Sequence, residues 1–273
     1  MKKLLAIIGL AWALCQPAFS QIQTESVDIW APGYTTFSAP AVVTLTSSGN
    51  GTFNLAAPTP VTFTSQSGST LTINLTELEV DSDPHIQFAF GVDNPEGATG
   101  YSNYTFTFAN AATNNLNLTP GQYNVSSSIG VTLTSGEDDP STPVTLEPTG
   151  TNGYVSQAYF GVGPGKQDAG VDILNSNLSF TPSQLPPVPS YTDTFAQVQS
   201  PTLGYNLTST QSQISVTTSF QLSNSDSASV SGRFDVNPID QTSSTVPEPS
   251  TNALLLAGLG TLLLVVRRRW RSH

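Results

Sequence analysis

The 273-residue chain sets 8 lysines and arginines against 19 aspartates and glutamates, a formal net charge of −11, and holds one cysteine and two histidines. That balance excludes a basic nucleic-acid footprint, a disulfide scaffold and a zinc centre built on nitrogen and sulfur ligands. The charge is also segregated: residues 21–245 keep 18 of the carboxylates but only Lys166 and Arg233 as cations, a net of −16, so this stretch repels anionic surfaces and attracts cations.

Met1 to Ser20 reads as an export signal. Lys2 and Lys3 form its basic start, Leu4 to Leu14 an apolar helix, and Ala18-Phe19-Ser20 supplies the small residues a signal peptidase needs, which makes Gln21 the expected mature N-terminus. Cys15 follows Leu14 inside the apolar run, the wrong context for lipidation, and leaves with the signal. The mature chain then has no cysteine, so no disulfide is expected even in an oxidising compartment.

From residue 21 onward the pattern has period two, and helical spacing is nearly absent. Strands are expected at Ala41 to Thr46, Thr52 to Leu55, Val61 to Thr64 and Leu71 to Val80. Leu71, Ile73 and Leu75 share a face, but Leu78 and Val80 then carry the apolar positions. A bulge near Thr76-Glu77 would return them to the core and leave Glu77, Glu79, Asp81 and Asp83 facing solvent. Ile86, Phe88, Phe90 and Val92 alternate, with Gln87 on the opposite face, as do Tyr104, Phe106 and Phe108 after the turn-rich D-N-P-E-G-A-T-G. The two read as a hairpin. Tyr123 to Thr134, Tyr154 to Phe160, Val171 to Phe180 and Leu203 to Ser209 follow. A second expected hairpin joins Ile214, Val216, Phe220 and Leu222 through N-S-D-S to Ala228, Val230, Phe234 and Val236. The Pro-rich Thr181 to Ser190 cannot be a central strand and reads as a crossover within one unit. Many short strands with Gly, Pro and Asn turns predict an all-β, antiparallel β-sandwich, of which a jelly roll is one form, over residues 21–241.

Equipment for chemistry is sparse. His85 is the lone histidine of residues 21–245, and no G-x-S-x-G elbow accompanies it, so a strand-end polar role is expected. F-G-V-G-P-G-K-Q-D has Phe160 where a phosphate loop needs its first Gly, and Gln167 where it needs Ser or Thr. It reads as a turn after a strand. Glu77/Glu79/Asp81/Asp83 and Glu137/Asp138/Asp139 are the dense carboxylate groups. There is no calcium-loop spacing, and a metal site would need oxygens from a neighbouring loop such as Asp93-Asn94 or Glu137 to Asp139, so diffuse cation attraction is expected instead. Trp30 and the tyrosines are expected in packing roles rather than as sugar platforms. No catalytic residue, metal or cofactor is expected.

Residues 242–252 form a linker containing Val246, Pro247, Glu248 and Pro249, where two fixed φ angles keep the chain extended. Ala253 to Val266 is uncharged and Leu-rich. As a helix it would be about 21 Å long against a hydrocarbon core of roughly 30 Å, so it spans only with help from flanking residues and snorkelling arginines. Arg267, Arg268, Arg269 and Arg271, within a basic tail at residues 267–273, form a stop and are expected on the cytoplasmic side.

Pro247-Glu248-Pro249, the apolar segment and the arginine cluster, in that order, resemble the PEP-CTERM sorting signal. F-A-F-G-V-D-N, Y-T-F-T-F and F-Q-L-S-N-S-D-S-A-S-V-S-G-R-F-D-V resemble, more loosely, the β-rich bodies that precede such signals. The resemblance implies an inner-membrane intermediate facing the periplasm, processing by an exosortase near Pro247-Glu248-Pro249, and delivery to the cell surface or extracellular polysaccharide matrix. It brings no catalytic residues. The expectation is a non-enzymatic exported protein, with a carbohydrate-binding or calcium-dependent adhesin as the alternative and a secreted hydrolase third.

Overall fold

The alternation of Gly121–Ser135 shows how this sequence sets its fold: buried and half-buried residues alternate over almost its whole length, the mark of a strand with one face in a core. The computed structural model describes residues 24–239 apart from 36–38, 50, 82–83, 95–99, 112–115, 137–141, 183–190 and 199–201. Its strands are β1 (Thr24–Trp30), β2 (Ala41–Gly49), β3 (Thr52–Asn54), β4 (Thr59–Thr64), β5 (Thr70–Asp81), β6 (His85–Asp93), β7 (Ser102–Asn110), β8 (Gly121–Ser135), β9 (Val144–Pro148), β10 (Ser156–Phe160), β11 (Gln167–Asp168), β12 (Leu178–Phe180), β13 (Tyr191–Val198), β14 (Thr202–Leu207), β15 (Ile214–Leu222) and β16 (Ser227–Pro238). One 3-10 turn, Thr151–Gly153, is the helical element among the described residues. None there is long and apolar enough to cross a membrane, and Ala253 to Val266 and the signal segment lie outside them.

The strands form one antiparallel network in the order β11-β10-β15-β7-β1-β2-β3-β5-β6-β16-β8-β13, with β4 beside β5, β14 beside β8, β9 beside β15 and β12 beside β9. β6 and β7 are five steps apart in that order, yet Phe88 of β6 stacks on Phe108 of β7 with centroids 4.4 Å apart and planes 7° from parallel. Phe90 meets Phe106 edge to face at 5.1 Å. The sheet therefore turns back on itself, and the aromatic side chains of its two halves interdigitate. Phe88, Phe90, Phe106, Phe108, Phe220 and Phe234, the six expected core rings, are all fully buried. Near the β16 end, Phe160 packs edge to face on Phe234 at 6.0 Å and stacks on Tyr205 at 4.9 Å.

Both expected hairpins are corrected by this topology. β6 pairs with β5 and β16, whereas β7 pairs with β1 and β15. β15 and β16 likewise lie in opposite halves. Each pair is an arch over the core edge rather than a hairpin. The two arches are locked together through Asn94, which is buried. Its Nδ2 donates to the carbonyls of Leu222 at 3.0 Å and Ser223 at 2.9 Å. Its Oδ1 accepts from Ser102 Oγ at 2.7 Å, and its backbone N–H donates to Asp226 O at 2.8 Å.

Val171 to Phe180 is not one strand. A single bridge, Ser156 with Ile173, holds its start, and Leu174 sits at φ 62, a left-handed value that breaks extension before β12 begins. β1, β9, β11 and β13 were not expected. The bulge is where the alternation slipped: the β5–β6 register shifts between Leu75 and Glu77, so Leu75 and Leu78 are both buried. Of the Pro-rich crossover, residues 183–190 lie outside the described residues. The strands after it pair with strands before it, β13 and β16 with β8 and β15 with β7.

Gly232 faces Phe88 directly across β16 and β6. A Cβ there would come 2.5 Å from Phe88 Cζ, so the ring occupies the space that glycine leaves. Gly232→Ala is expected to cost about 1–3 kcal/mol through overpacking, read as a lower denaturant midpoint. Phe88→Leu in the same chain should recover part of that loss.

Candidate functional site: the acidic face and the sorting segment

The bulge turns the carboxylates of β5 outward, and pairing brings polar partners alongside each. Across β3, β5, β6 and β16 one row reads Thr52, Asp81, His85, Asp235, and the next Asn54, Glu79, Gln87, Arg233. Asp81 accepts from Thr52 Oγ1 at 2.5 Å. Glu79 lies 2.9 Å from His85 Nε2, and Glu77 accepts from Gln87 Nε2 at 2.6 Å. With the Asn54 amide turned so that its nitrogen faces Glu79, that bond is 2.7 Å. Arg233 pairs with Asp235 at 2.7 Å and donates to Gln87 Oε1 at 3.0 Å. The hydrogen bond to Asp235 raises the Arg233 guanidinium above its ordinary range.

These contacts give each acidic side chain a protein partner. His85 is 8% exposed and its imidazole is occupied by Glu79, at the strand end where it was expected. Asn94, a conceivable extra oxygen ligand, is committed to the arches. Among the described residues no group of three or more His, Cys, Asp or Glu could hold a metal ion. Asp83 and Glu137 to Asp139 lie outside the described residues. Calorimetric titration with calcium should therefore show weak, non-saturating heats. Saturation at micromolar calcium, abolished by Asp81→Asn, would show a built site instead.

The glycine-rich Phe160 to Asp168 stretch is a turn that returns the chain from β10 to β11, pairing Phe160 with Gln167 and Tyr159 with Asp168. A strand follows it, not a helix, so no helix N-terminus is available for a phosphate. Lys166 Nζ instead lies 3.4 Å from the Tyr159 ring centroid. Burial, then Asp168 and Asp172, pushes the Tyr159 phenol up to about 12. Because the folded value lies above the unfolded one of about 10, the stability Tyr159 contributes is complete below pH 10. It is lost as pH rises towards 12. Tyr159→Phe should remove the last phenolate transition in an ultraviolet titration and flatten the stability loss across that window.

Trp30 is only 6% exposed and offers no sugar platform, whereas Tyr101 is 49% exposed. Between β2 and the 55–62 stretch that enters β4 there is an open cleft of about 470 Å³, lined by Val42, Val43, Leu55, Ala57, Pro60 and Val61 among others. The remaining expected site residues lie outside the described residues: Ala18, Ser20 and Gln21, Val246 to Pro249, and Arg267, Arg268, Arg269 and Arg271. Thr52, Asn54, Gln87, Arg233 and Asp235 were not expected on the acidic face. Their outward phase was legible, but the strand order that gathers them was not.

No curated protein matches the chain. Among solved structures it is similar to "Structure of infectious bursal disease virus Gx strain" at 10% identity and a TM-score of 0.19, over 83% of this chain and 59% of that one, too slight a likeness to bear on the fold. The chain thus spans about three-fifths of that viral protein. The family described as the PEP-CTERM protein-sorting motif matches residues 245–269, so an antiparallel all-β body is followed here by a PEP-CTERM sorting motif, which implies targeting to an exosortase and export.

Proposed function

We propose that this chain is a non-enzymatic surface protein, delivered as a membrane-anchored precursor and released into the extracellular polysaccharide matrix. The observation that carries the reading is the sorting-motif match at residues 245–269, which begins shortly after β16 ends at Pro238. In this reading signal peptidase removes residues 1–20 and residues 21–241 fold as a β-sandwich outside the cytoplasm. Residues 242–252 link that body to the membrane helix 253–266, and residues 267–273 face the cytoplasm. An exosortase acts near Val246-Pro247-Glu248-Pro249. Support for a non-enzymatic body comes from His85, buried and bonded to Glu79 rather than presented to a substrate. The small polar and acidic outer face suits a hydrated, soluble matrix component.

The test is retention. In a host with the matching exosortase, Glu248→Ala together with Pro247→Ala should leave the protein in the membrane fraction, while the wild type reaches the surface. Equal release of both would refute exosortase sorting.

A further inference from the structure

We propose that β16 is a closing strand, so that the body folds only in chains delivered to within a few residues of the sorting motif. The inference rests on the sorting reading for its consequence, but its structural basis is independent of it. β16 is the last of the described strands in the sequence, yet it lies inside the sheet. It pairs with β6 from Ser227 to Asp235 and with β8 from Ser227 to Pro238. Among the described residues no other strand joins β6 to β8 in the hydrogen-bonded order, so without β16 the group β8, β13 and β14 is cut off from the rest of the sheet.

Its side chains close the core as well. Ala228, Val230, Phe234 and Val236 are buried, Gly232 seats the Phe88 ring, and Phe234 reaches Phe160 in the opposite half. The arch that delivers β16 from β15 is held by Asn94, which itself enters from the β6 arch. A chain that stops before Ser227 thus leaves two long strands, β6 and β8, with open edges and an unfilled core between them. Such edges favour aggregation or proteolysis over folding.

The position of this strand along the chain gives it a consequence. Six residues, 239–244, separate its last residue from the matched motif. Extended, six residues reach at most about 20 Å. In a chain exported N-terminus first, Pro238 then becomes free to pair as the sorting motif nears the membrane. A chain cut before Ser227 lacks both the closing strand and the motif, and does not acquire the fold. Completion of the body thereby reports that the chain has been delivered to within six residues of the motif.

The test is pulsed hydrogen exchange during refolding of the full-length chain in detergent micelles, read by mass spectrometry. Amides of β6, β8 and β16 should gain protection in one shared phase, with rates within about twofold of one another, as one cooperative unit. Protection of β5–β6 or of β8, β13 and β14 while β16 still exchanges freely would overturn the proposal. A mild variant supplies the second reading: Val230→Ala should slow protection in β8 as much as in β16, and slowing confined to β16 would overturn it too. Neither arm involves an exosortase, so a failure of sorting in the host and a failure of closure here are distinguishable.

Discussion

Replacing Phe90 by Ala is expected to destabilise the body by about 3–5 kcal/mol, the range for deleting a fully buried aromatic ring. Phe90 touches three other rings, Phe88 at 6.1 Å, Phe106 at 5.1 Å and Phe108 at 5.4 Å. Two of these belong to the opposite half of the sheet, so the void opens where the halves meet and neither can collapse into it alone. Against a typical total of 5–15 kcal/mol, this loss brings the fold near its limit. Gln87, three residues earlier on the same strand, faces outward and holds Glu77 and Arg233. Gln87→Ala should cost about 1 kcal/mol, the net worth of such polar contacts. Equal effects of the two changes in urea melts would contradict the strand phase.

Asn94→Ala should cost about 3 kcal/mol, since buried groups left unpaired each carry a penalty of roughly 1–3 kcal/mol. The substitution strands the carbonyls of Leu222 and Ser223 and the Ser102 hydroxyl at once. Asn94→Asp should be at least as damaging at neutral pH. It keeps an acceptor for Ser102 but sets a carboxylate against two carbonyl oxygens. Protonating it restores one donor, and this site holds the carboxyl above its unfolded value of about 3.9, so the deficit relative to wild type should shrink as the pH falls towards 4 and level off below it. A deficit that is independent of pH would mean that the amide nitrogen does not face those carbonyls. The arches, rather than the strands, would then have to be held by other contacts such as Tyr104 Oη to Asp93 O at 3.0 Å.

The strands and the core were legible because alternation reports directly which side of a strand is apolar. It placed Phe88, Phe90, Phe106, Phe108, Phe220 and Phe234 inside, and the slipped alternation of Leu75 and Leu78 located a bulge one residue wide. Alternation does not say which strand lies alongside. A hairpin and an arch bury the same residues, so Ile86 to Val92 and Tyr104 to Phe108 looked like neighbours although they face each other across the core. β1 was hidden because Glu25 and Asp28 dilute the apolar Val27 and Ile29, and β9 because it is five residues long and ends at Pro148. Val171 and Ile173 are buried as a strand would have them, but backbone conformation at Leu174, invisible in an apolar pattern, ends the extension. On the acidic face the outward phase of Glu77, Glu79 and Asp81 was readable. The polar side chains that gather beside them were not, because Gln87 and Arg233 are 146 residues apart and meet only through the place of β16 in the sheet.

The sorting motif was readable for the opposite reason. Pro247-Glu248-Pro249, an apolar segment and an arginine cluster form a contiguous signal that needs no tertiary partner. Terminal mass spectrometry of the form released from cells tests the account most directly. The account predicts a mature chain that begins at or next to Gln21 and ends within or beside Pro247-Glu248-Pro249. A released form that still carries Arg267 to His273 would contradict it.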